Sequence, residues 1–391
     1  IHRQRNKMQK NVVIAGYVRS PFHFAKKGNL ARVRPDELAA QVVRGLVEKT
    51  GVNTADIEDL ILGCAFPEGE QGFNMARIVT FLAQLPISVA GTTVNRFCGS
   101  SMQSIHMAAG AIQMNAGDAF ICAGVESMSR VPMGGYNPMP HPGLAADYGQ
   151  AYMSMGVTAE NLADQYDISR QRQEELTVIS HQRANDARQS GRLTDEIIPI
   201  VNGDIIISSD GCIREGTTAA ALADLKPVFR ADGSVTAATS SPLTDGASAT
   251  LVTSEAYAKA NGLPILARIK SIAVAGCAPE IMGIGPVSAI MKALNRAGLS
   301  LADIDIIELN EAFAAQALSC VDELALGGQE MDMDKTNIDG GALALGHPLG
   351  ATGARITGKA AALLKREGKQ FALSAQCIGG GQGIATLLEA V

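Results

Sequence analysis

The chain predicts an α/β protein made of two similar halves with a segment inserted between them, and two internal matches carry that expectation. Helix periodicity from Pro35 to Thr50 (Leu38, Val42, Val43, Leu46, Val47) is followed by Gly51, then by Ala55-Asp56-Ile57 entering a strand that ends near Leu62. The same order returns from Pro286 to Ala297 (Ile290, Met291, Leu294), with Gly298 and then Ala302-Asp303-Ile304 entering a strand that ends near Leu309. The spacing from Gly to Ala-Asp-Ile is identical in both places. The apolar strands Ala119 to Val125 and Phe371 to Cys377 form a second ordered pair, which points to duplication. A length of 391 residues also exceeds a single core.

The first strand is expected at Val12 to Ala15. Ile1 to Lys10 is basic and lacks an apolar core, so it is not expected to be a secretory signal. Ile1 is not methionine and Met8 precedes the first strand, so residues 1–7 read as upstream sequence, with a cut transit peptide as the alternative. Thr92-Thr93-Val94 is strand-like and gives way through Asn95, Arg96, Phe97, Cys98 and Gly99 to an apolar-periodic helix. From Glu126 to about Thr244 the texture changes. Met128 to Pro142 is irregular, Ser169 to Ser190 is a polar helix capped at Ser169, and Asp232-Gly233 is a turn. Ser248 to Thr253 returns to the core as a strand. Asn337 to Arg355 is too glycine-rich for a helix interior and too apolar for a solvated loop, so it is expected to be a close-packed turn presenting His347. The final strand, Phe371 to Gln376, runs into Cys377, Ile378, Gly379, Gly380 and Gly381, where consecutive glycines let the backbone approach a ligand and expose N–H donors. Glu389-Ala390-Val391 is not a peroxisomal address.

Composition narrows the class. A hydrophobic share of 47% supports a sizeable core, and 41 glycines indicate many tight turns. No stretch approaches about 18 uncharged apolar residues, so no membrane span is expected. The net charge of −6 argues against a nucleic-acid surface, and any anionic ligand must be met by local donors. The 7 cysteines (Cys64, Cys98, Cys122, Cys212, Cys277, Cys320, Cys377) lack a C-x-x-C pair, which favours reduced thiols in the cytoplasm and gives no metal signature.

Cys98 falls where a strand turns into a helix. The unpaired N–H groups and partial positive charge of a first helical turn favour a thiolate, so its pKa is expected below the free value of about 8.5. The same donors suit an oxyanion. Taken singly, Cys98 and Cys377 also read as small buried hydrophobes, His347 as a packing histidine and Asn310 as the end of a strand.

Together, Asn95-Arg96-Phe97-Cys98-Gly99-Ser100, Asn310-Glu311-Ala312-Phe313-Ala314, Gly346-His347-Pro348 and Cys377-Ile378-Gly379-Gly380-Gly381 closely resemble the thiolase family in order and spacing, from about Asn11 to Val391. The resemblance implies a duplicated five-layered α-β-α-β-α core with an inserted loop domain covering coenzyme A. Residues 8–125 with 245–270 would form the N-terminal half, 126–244 the loop domain and 271–391 the C-terminal half. It further implies a 3-ketoacyl-CoA thiolase working through an acylated Cys98. His347 would be the base, Cys377 would protonate the enolate and later deprotonate CoA, Asn310 would hold a water at one oxyanion, and the N–H groups of Cys98 and Gly379 would meet the other.

Coenzyme A would be a co-substrate, with no prosthetic group. By the same resemblance Ser241 would contact its pantetheine amide, Met155, Met282 and Phe313 would line the acyl and pantetheine tunnel, and Arg214 would lie near the adenine nucleotide. The family often carries a His before the loop Met, where Ser154 stands here. The segment from Glu126 to Gly156 is short and lacks the insertion that biosynthetic acetoacetyl-CoA thiolases use to form tetramers. With Leu309 before Asn310 and the run Ile281 to Pro286, this resembles the degradative 3-ketoacyl-CoA thiolases of fatty-acid β-oxidation. A homodimer is implied, joined in some members to a hydratase/dehydrogenase subunit. The alternatives are a biosynthetic acetoacetyl-CoA thiolase, a decarboxylating ketoacyl synthase, a cysteine hydrolase and a non-catalytic acyl-CoA carrier. Cys377 has no role in a cysteine hydrolase, and a ketoacyl synthase site resembles Cys-His-His instead.

Overall fold

The computed structural model describes residues 10–391, so the expectation for residues 1–7 lies outside the described residues. In chain order, the first part comprises β1 (Val12–Arg19), β2 (His23–Phe24), α1 (Pro35–Thr50), β3 (Ile57–Gly63), α2 (Met75–Leu82), β4 (Ala90–Val94), α3 (Ser100–Gln113) and β5 (Ala119–Ser127). The inserted segment holds α4 (Pro142–Asp147), α5 (Met155–Gln165), α6 (Arg170–Gln189), β6 (Ile200–Asn202), β7 (Ile205–Ile207) and α7 (Ala219–Ala223). The chain then continues through β8 (Thr244–Ser254), α8 (Glu255–Ala260), β9 (Ala267–Gly276), α9 (Gly285–Ala297), β10 (Ile306–Leu309), α10 (Ala314–Leu326), α11 (Ala342–Leu345), α12 (Leu349–Glu367), β11 (Phe371–Ile378) and β12 (Gln382–Glu389).

The strands lie in the order β10-β11-β12-β9-β1-β8-β5-β3-β4. Two half-sheets meet between β9 and β1, where Val13 and Ile14 pair with Arg268 and Ala267. Their internal pairings match: β3 and β5 are parallel while β5–β8 and β8–β1 are antiparallel, and β10 and β11 are parallel while β11–β12 and β12–β9 are antiparallel. The duplication read from the sequence is therefore a duplication of topology. Both repeated helices end on a left-handed glycine, Gly51 at φ 68° and Gly298 at φ 67°, a conformation that costs glycine nothing. The layers follow from which faces are apolar: α1 covers the outer face of one half-sheet, α9 and α10 cover the other, and α3 and α12 fill the space between. The division expected after residue 270 falls inside β9.

The segment from Asn337 to Arg355 departs from its expected turn, because α12 begins at Leu349 and carries Gly350 and Gly353 within its first turns. Each glycine costs about 1 kcal/mol relative to Ala in a helix. Here they permit backbone contact: a Cβ on Gly353 would lie 2.2 Å from Met102 N, and one on Gly350 would lie 2.5 Å from Val125 O. In the insert, the expected helix is present as α6, with Ser169 Oγ accepting from Arg172 N at 3.2 Å.

Replacing Gly353 with Ala sets a helix-propensity gain of about 1 kcal/mol against a steric cost of about 1–3 kcal/mol. Because the obstructing atom is backbone, the cost should win, and calorimetry should show Gly353→Ala melting below the parent. A higher melting temperature would mean that this glycine does not set the helix approach.

Candidate active site

After β4 the chain makes a tight reversal. Asn95 Oδ1 accepts from Phe97 N at 2.8 Å, while Ser100 Oγ accepts from Arg96 N at 2.9 Å and donates to Phe97 O at 2.6 Å. Phe97 adopts φ 41°, an uncommon conformation for an aromatic residue, held by those bonds. Cys98 follows, one residue before the helix cap Gly99, and its carbonyl accepts from Gln376 Nε2. A Cβ on Gly99 would meet Ile378 Cδ1 at 2.5 Å, so the turn is pressed against the end of β11.

The Cys98 thiol is 2% exposed. Burial pushes its pKa up to about 11, although the N–H groups of Gly379 and of Cys98 itself pull it back. This corrects the expectation of a lowered pKa: loss of solvation outweighs the helix terminus. His347 is placed by Gly346 at φ 102°, and its N–H donates to Thr244 Oγ1 at 3.0 Å. Its Nδ1 lies 2.6 Å from Thr352 Oγ1 and its Nε2 lies 3.4 Å from Asn310 Nδ2. Burial, then the charge of Arg355, lowers the imidazole pKa to about 3. Cys377, at the end of β11, is held well above the usual thiol range by burial and then by the neighbouring Cys98. At neutral pH all three side chains rest uncharged.

Cys98, His347 and Cys377 line one cavity of about 440 Å³, together with Ser241, Met155, Met282 and Phe313. Asn310 is fully buried behind His347, with its Oδ1 unpartnered in the protein. Gly379 borders a second cavity of about 640 Å³, which also reaches Cys98 and is walled by Phe66, Phe97, Met133, Met139 and Met153. Cys98, Met133, Ser154, Met155 and Leu349 belong to both walls. Arg214 stands apart from both, exposed, with its guanidinium 5.4 Å from the Phe24 ring.

Sequence reasoning passed over Thr244, Thr352 and Gln376, which hold His347 and the Cys98 carbonyl. The available signal for Thr352 was its position five residues after His347, within one helical turn of Pro348. Among the described residues no group of three or more His, Cys, Asp or Glu side chains is placed to hold a metal ion, and no helix is long and apolar enough to cross a membrane.

A buried thiol of raised pKa has a pH-dependent reactivity. Iodoacetamide labelling of Cys98 should rise about tenfold per pH unit between pH 7 and 9, because the thiolate fraction grows that way below the pKa. Peptide mapping separates it from the half-buried Cys277, and a plateau for Cys98 near pH 7 would show a stabilised thiolate after all.

Residues 12–256 match the thiolase N-terminal domain and residues 263–390 the thiolase C-terminal domain. The chain is 48% identical over 390 residues to a 3-ketoacyl-CoA thiolase of Pseudoalteromonas translucida, a match covering 97% of this chain and 99% of that one. Among solved structures, the acetyl-CoA acetyltransferase of Bacillus anthracis superposes with a TM-score of 0.89 at 40% identity, covering 98% of this chain and 99% of that one. Human mitochondrial 3-ketoacyl-CoA thiolase in complex with CoA superposes with a TM-score of 0.90 at 36% identity, covering 98% of each chain. With both halves matched and the duplicated sheet in place, the chain belongs to the thiolase family.

Proposed function

We propose that this chain catalyses CoA-dependent thiolytic cleavage of 3-ketoacyl-CoA to acetyl-CoA and a shortened acyl-CoA, as a step of fatty-acid β-oxidation. The observation that carries the reading is the convergence of Cys98, His347 and Cys377 on one buried cavity, two thiols and one neutral base. Cys98 Sγ attacks the ketone carbon as His347 Nε2 takes its proton. The bond to the acetyl unit breaks, its electron pair passes into the departing thioester as an enolate, and Cys377 protonates the enolate carbon. The Cys377 thiolate then removes the proton of the incoming CoA thiol. CoA sulfur attacks the acyl carbonyl, and Cys98 leaves as its proton returns from His347. A thiol suits this two-way duty because its ordinary pKa, about 8.5, allows it both to give and to take a proton.

The resting electrostatics set the timing. With the thiol near 11 and the imidazole near 3, a separated ion pair in the empty pocket is disfavoured. The proton therefore leaves Sγ as the sulfur–carbon bond forms and charge passes to the substrate oxygen, where the N–H groups of Cys98 and Gly379 receive it. Losing one such donor typically costs about 3 kcal/mol of transition-state stabilisation. The enolate oxygen would face His347 and Asn310, whose free Oδ1 suits a bound water.

The cavity wall of Ser241, Met155, Met282 and Phe313 supports passage of the pantetheine arm, while Arg214 is assigned to the nucleotide by resemblance alone. All the cysteines are free, in keeping with the reduced thiols of a cytoplasmic enzyme. A homodimer fits the edge position of β4 in the sheet, where Asn74 donates to Gly91 O and the adjacent Phe73 is 94% exposed. A hydratase/dehydrogenase subunit is a further partner that the family resemblance alone supports.

The two cysteines should separate in a partial reaction. Cys377→Ala should lose thiolysis by about 10²- to 10⁴-fold, the usual worth of general acid–base catalysis, while acyl transfer from an acyl-CoA to Cys98, which makes no carbanion, falls far less. Cys98→Ala should lose both. Mass spectrometry of the acyl-enzyme beside a thiolysis assay reads the difference, and equal losses in Cys377→Ala would reject the division of roles.

The second cavity supports the degradative reading over an acetoacetyl-CoA thiolase, because the side chains of Phe66, Phe97, Met133, Met139 and Met153 in its wall suit an acyl chain longer than two carbons. Each methylene it buries is worth about 0.8 kcal/mol, about fourfold. The value of kcat/KM for thiolysis should therefore climb along a 3-ketoacyl-CoA series beyond four carbons. A maximum at acetoacetyl-CoA would favour the biosynthetic enzyme.

A further inference from the structure

We infer that Thr352 is a positioning residue of this site: its hydroxyl oxygen accepts the Nδ1 proton of His347, and so holds the imidazole as the tautomer whose bare Nε2 serves the reacting thiol. The inference rests on the thiolase reading for its consequence in catalysis, and on two contacts for its geometry.

Neutral imidazole carries one N–H, and its partners decide which nitrogen bears it. On one side, Thr352 Oγ1 lies 2.6 Å from Nδ1. The same hydroxyl donates to Pro348 O, four residues back and 3.1 Å away, the usual acceptor for a threonine within a helix. With its single proton directed there, the oxygen meets the ring as an acceptor. On the other side, Asn310 Nδ2 stands 3.4 Å from Nε2. An amide NH₂ donates only, so that contact is favourable when Nε2 carries a lone pair. Both contacts therefore assign the proton to Nδ1.

The ring has little freedom to leave these partners, because His347 is only 5% exposed and Thr352 is fully buried. A carboxylate in the position of Thr352 would favour the imidazolium and blunt the base. A hydroxyl orients the ring and leaves it neutral.

The test pairs Thr352→Val, which removes the acceptor at similar size, with Thr352→Ser, which retains it. Ring ¹⁵N shifts of His347 should show a protonated Nδ1 and a bare Nε2 in the parent, and a shift of the proton toward Nε2 in Thr352→Val. Acyl-enzyme formation from an acyl-CoA should fall about 100-fold or more in Thr352→Val with KM little changed, and Thr352→Ser should restore most of the rate. A parent protonated at Nε2, or a Thr352→Val variant with unaltered tautomer and rate, would overturn the inference. If Thr352→Val does not fold, the parent spectrum still decides it. A parent with the expected tautomer but no thiolysis of 3-ketoacyl-CoA would reject the functional reading and leave the positioning role standing.

Discussion

The backbone contact between the two halves at the centre of the molecule is the constraint on which the active site depends. A Cβ on Gly124 would lie 2.1 Å from Gly350 O, and one on Gly353 would lie 2.2 Å from Met102 N. Helices α3 and α12 therefore pack with backbone against backbone, and Ser101 Oγ accepts from Ala354 N at 2.8 Å across the seam. Cys98 precedes α3 and His347 precedes α12, so the close approach of those two helices brings nucleophile and base together. Because α3-β5 and α12-β11 are equivalent units of the duplicated sheet, the two residues occupy corresponding places in the two halves.

Glu126 holds this seam in register. Its carboxylate is fully buried and accepts from Ala65 N at 2.8 Å, Gln71 Nε2 at 2.8 Å and Gly350 N at 2.9 Å. It thus ties the end of β5 to the start of α12, and burial raises its pKa even as those donors lower it. The same exclusion of water governs the reacting groups. A solvated site would leave the thiol and the imidazole near their ordinary values, whereas this one moves the two apart, makes proton transfer between them costlier and defers charge separation to the reaction itself.

The insert is fastened to both halves by buried ions. Arg19 on β1 forms a two-pronged pair with Asp210, at 2.7 and 2.8 Å, and also meets Glu196 at 2.7 Å. Glu196 in turn accepts from Lys359 on α12 at 2.8 Å, and Lys359 reaches Asp339 at 2.7 Å. Such a chain is a poor guide to net stability, because desolvation offsets attraction, but breaking one member strands a buried charge. Its geometric effect is to fix where the insert sits over the cavities.

Local signals in the sequence determined the repeated helices, their glycine ends, the core strands and the capped α6, because periodicity, caps and turns act within a few residues. They also located Cys98 at a strand-to-helix turn, and the ordered motifs identified the family. Tertiary structure alone decided three things. Gly350 and Gly353 read as helix breakers until the facing backbones of Met102 and Val125 show why a helix needs them there. The Cys98 and His347 pKa values follow from desolvation, a sum over neighbours distant in sequence, and it reverses the expectation drawn from the helix terminus. The roles of Thr244, Thr352 and Gln376 are contacts between or within packed elements, and they carry no signature of their own because a buried hydroxyl or amide gains meaning only from what it touches.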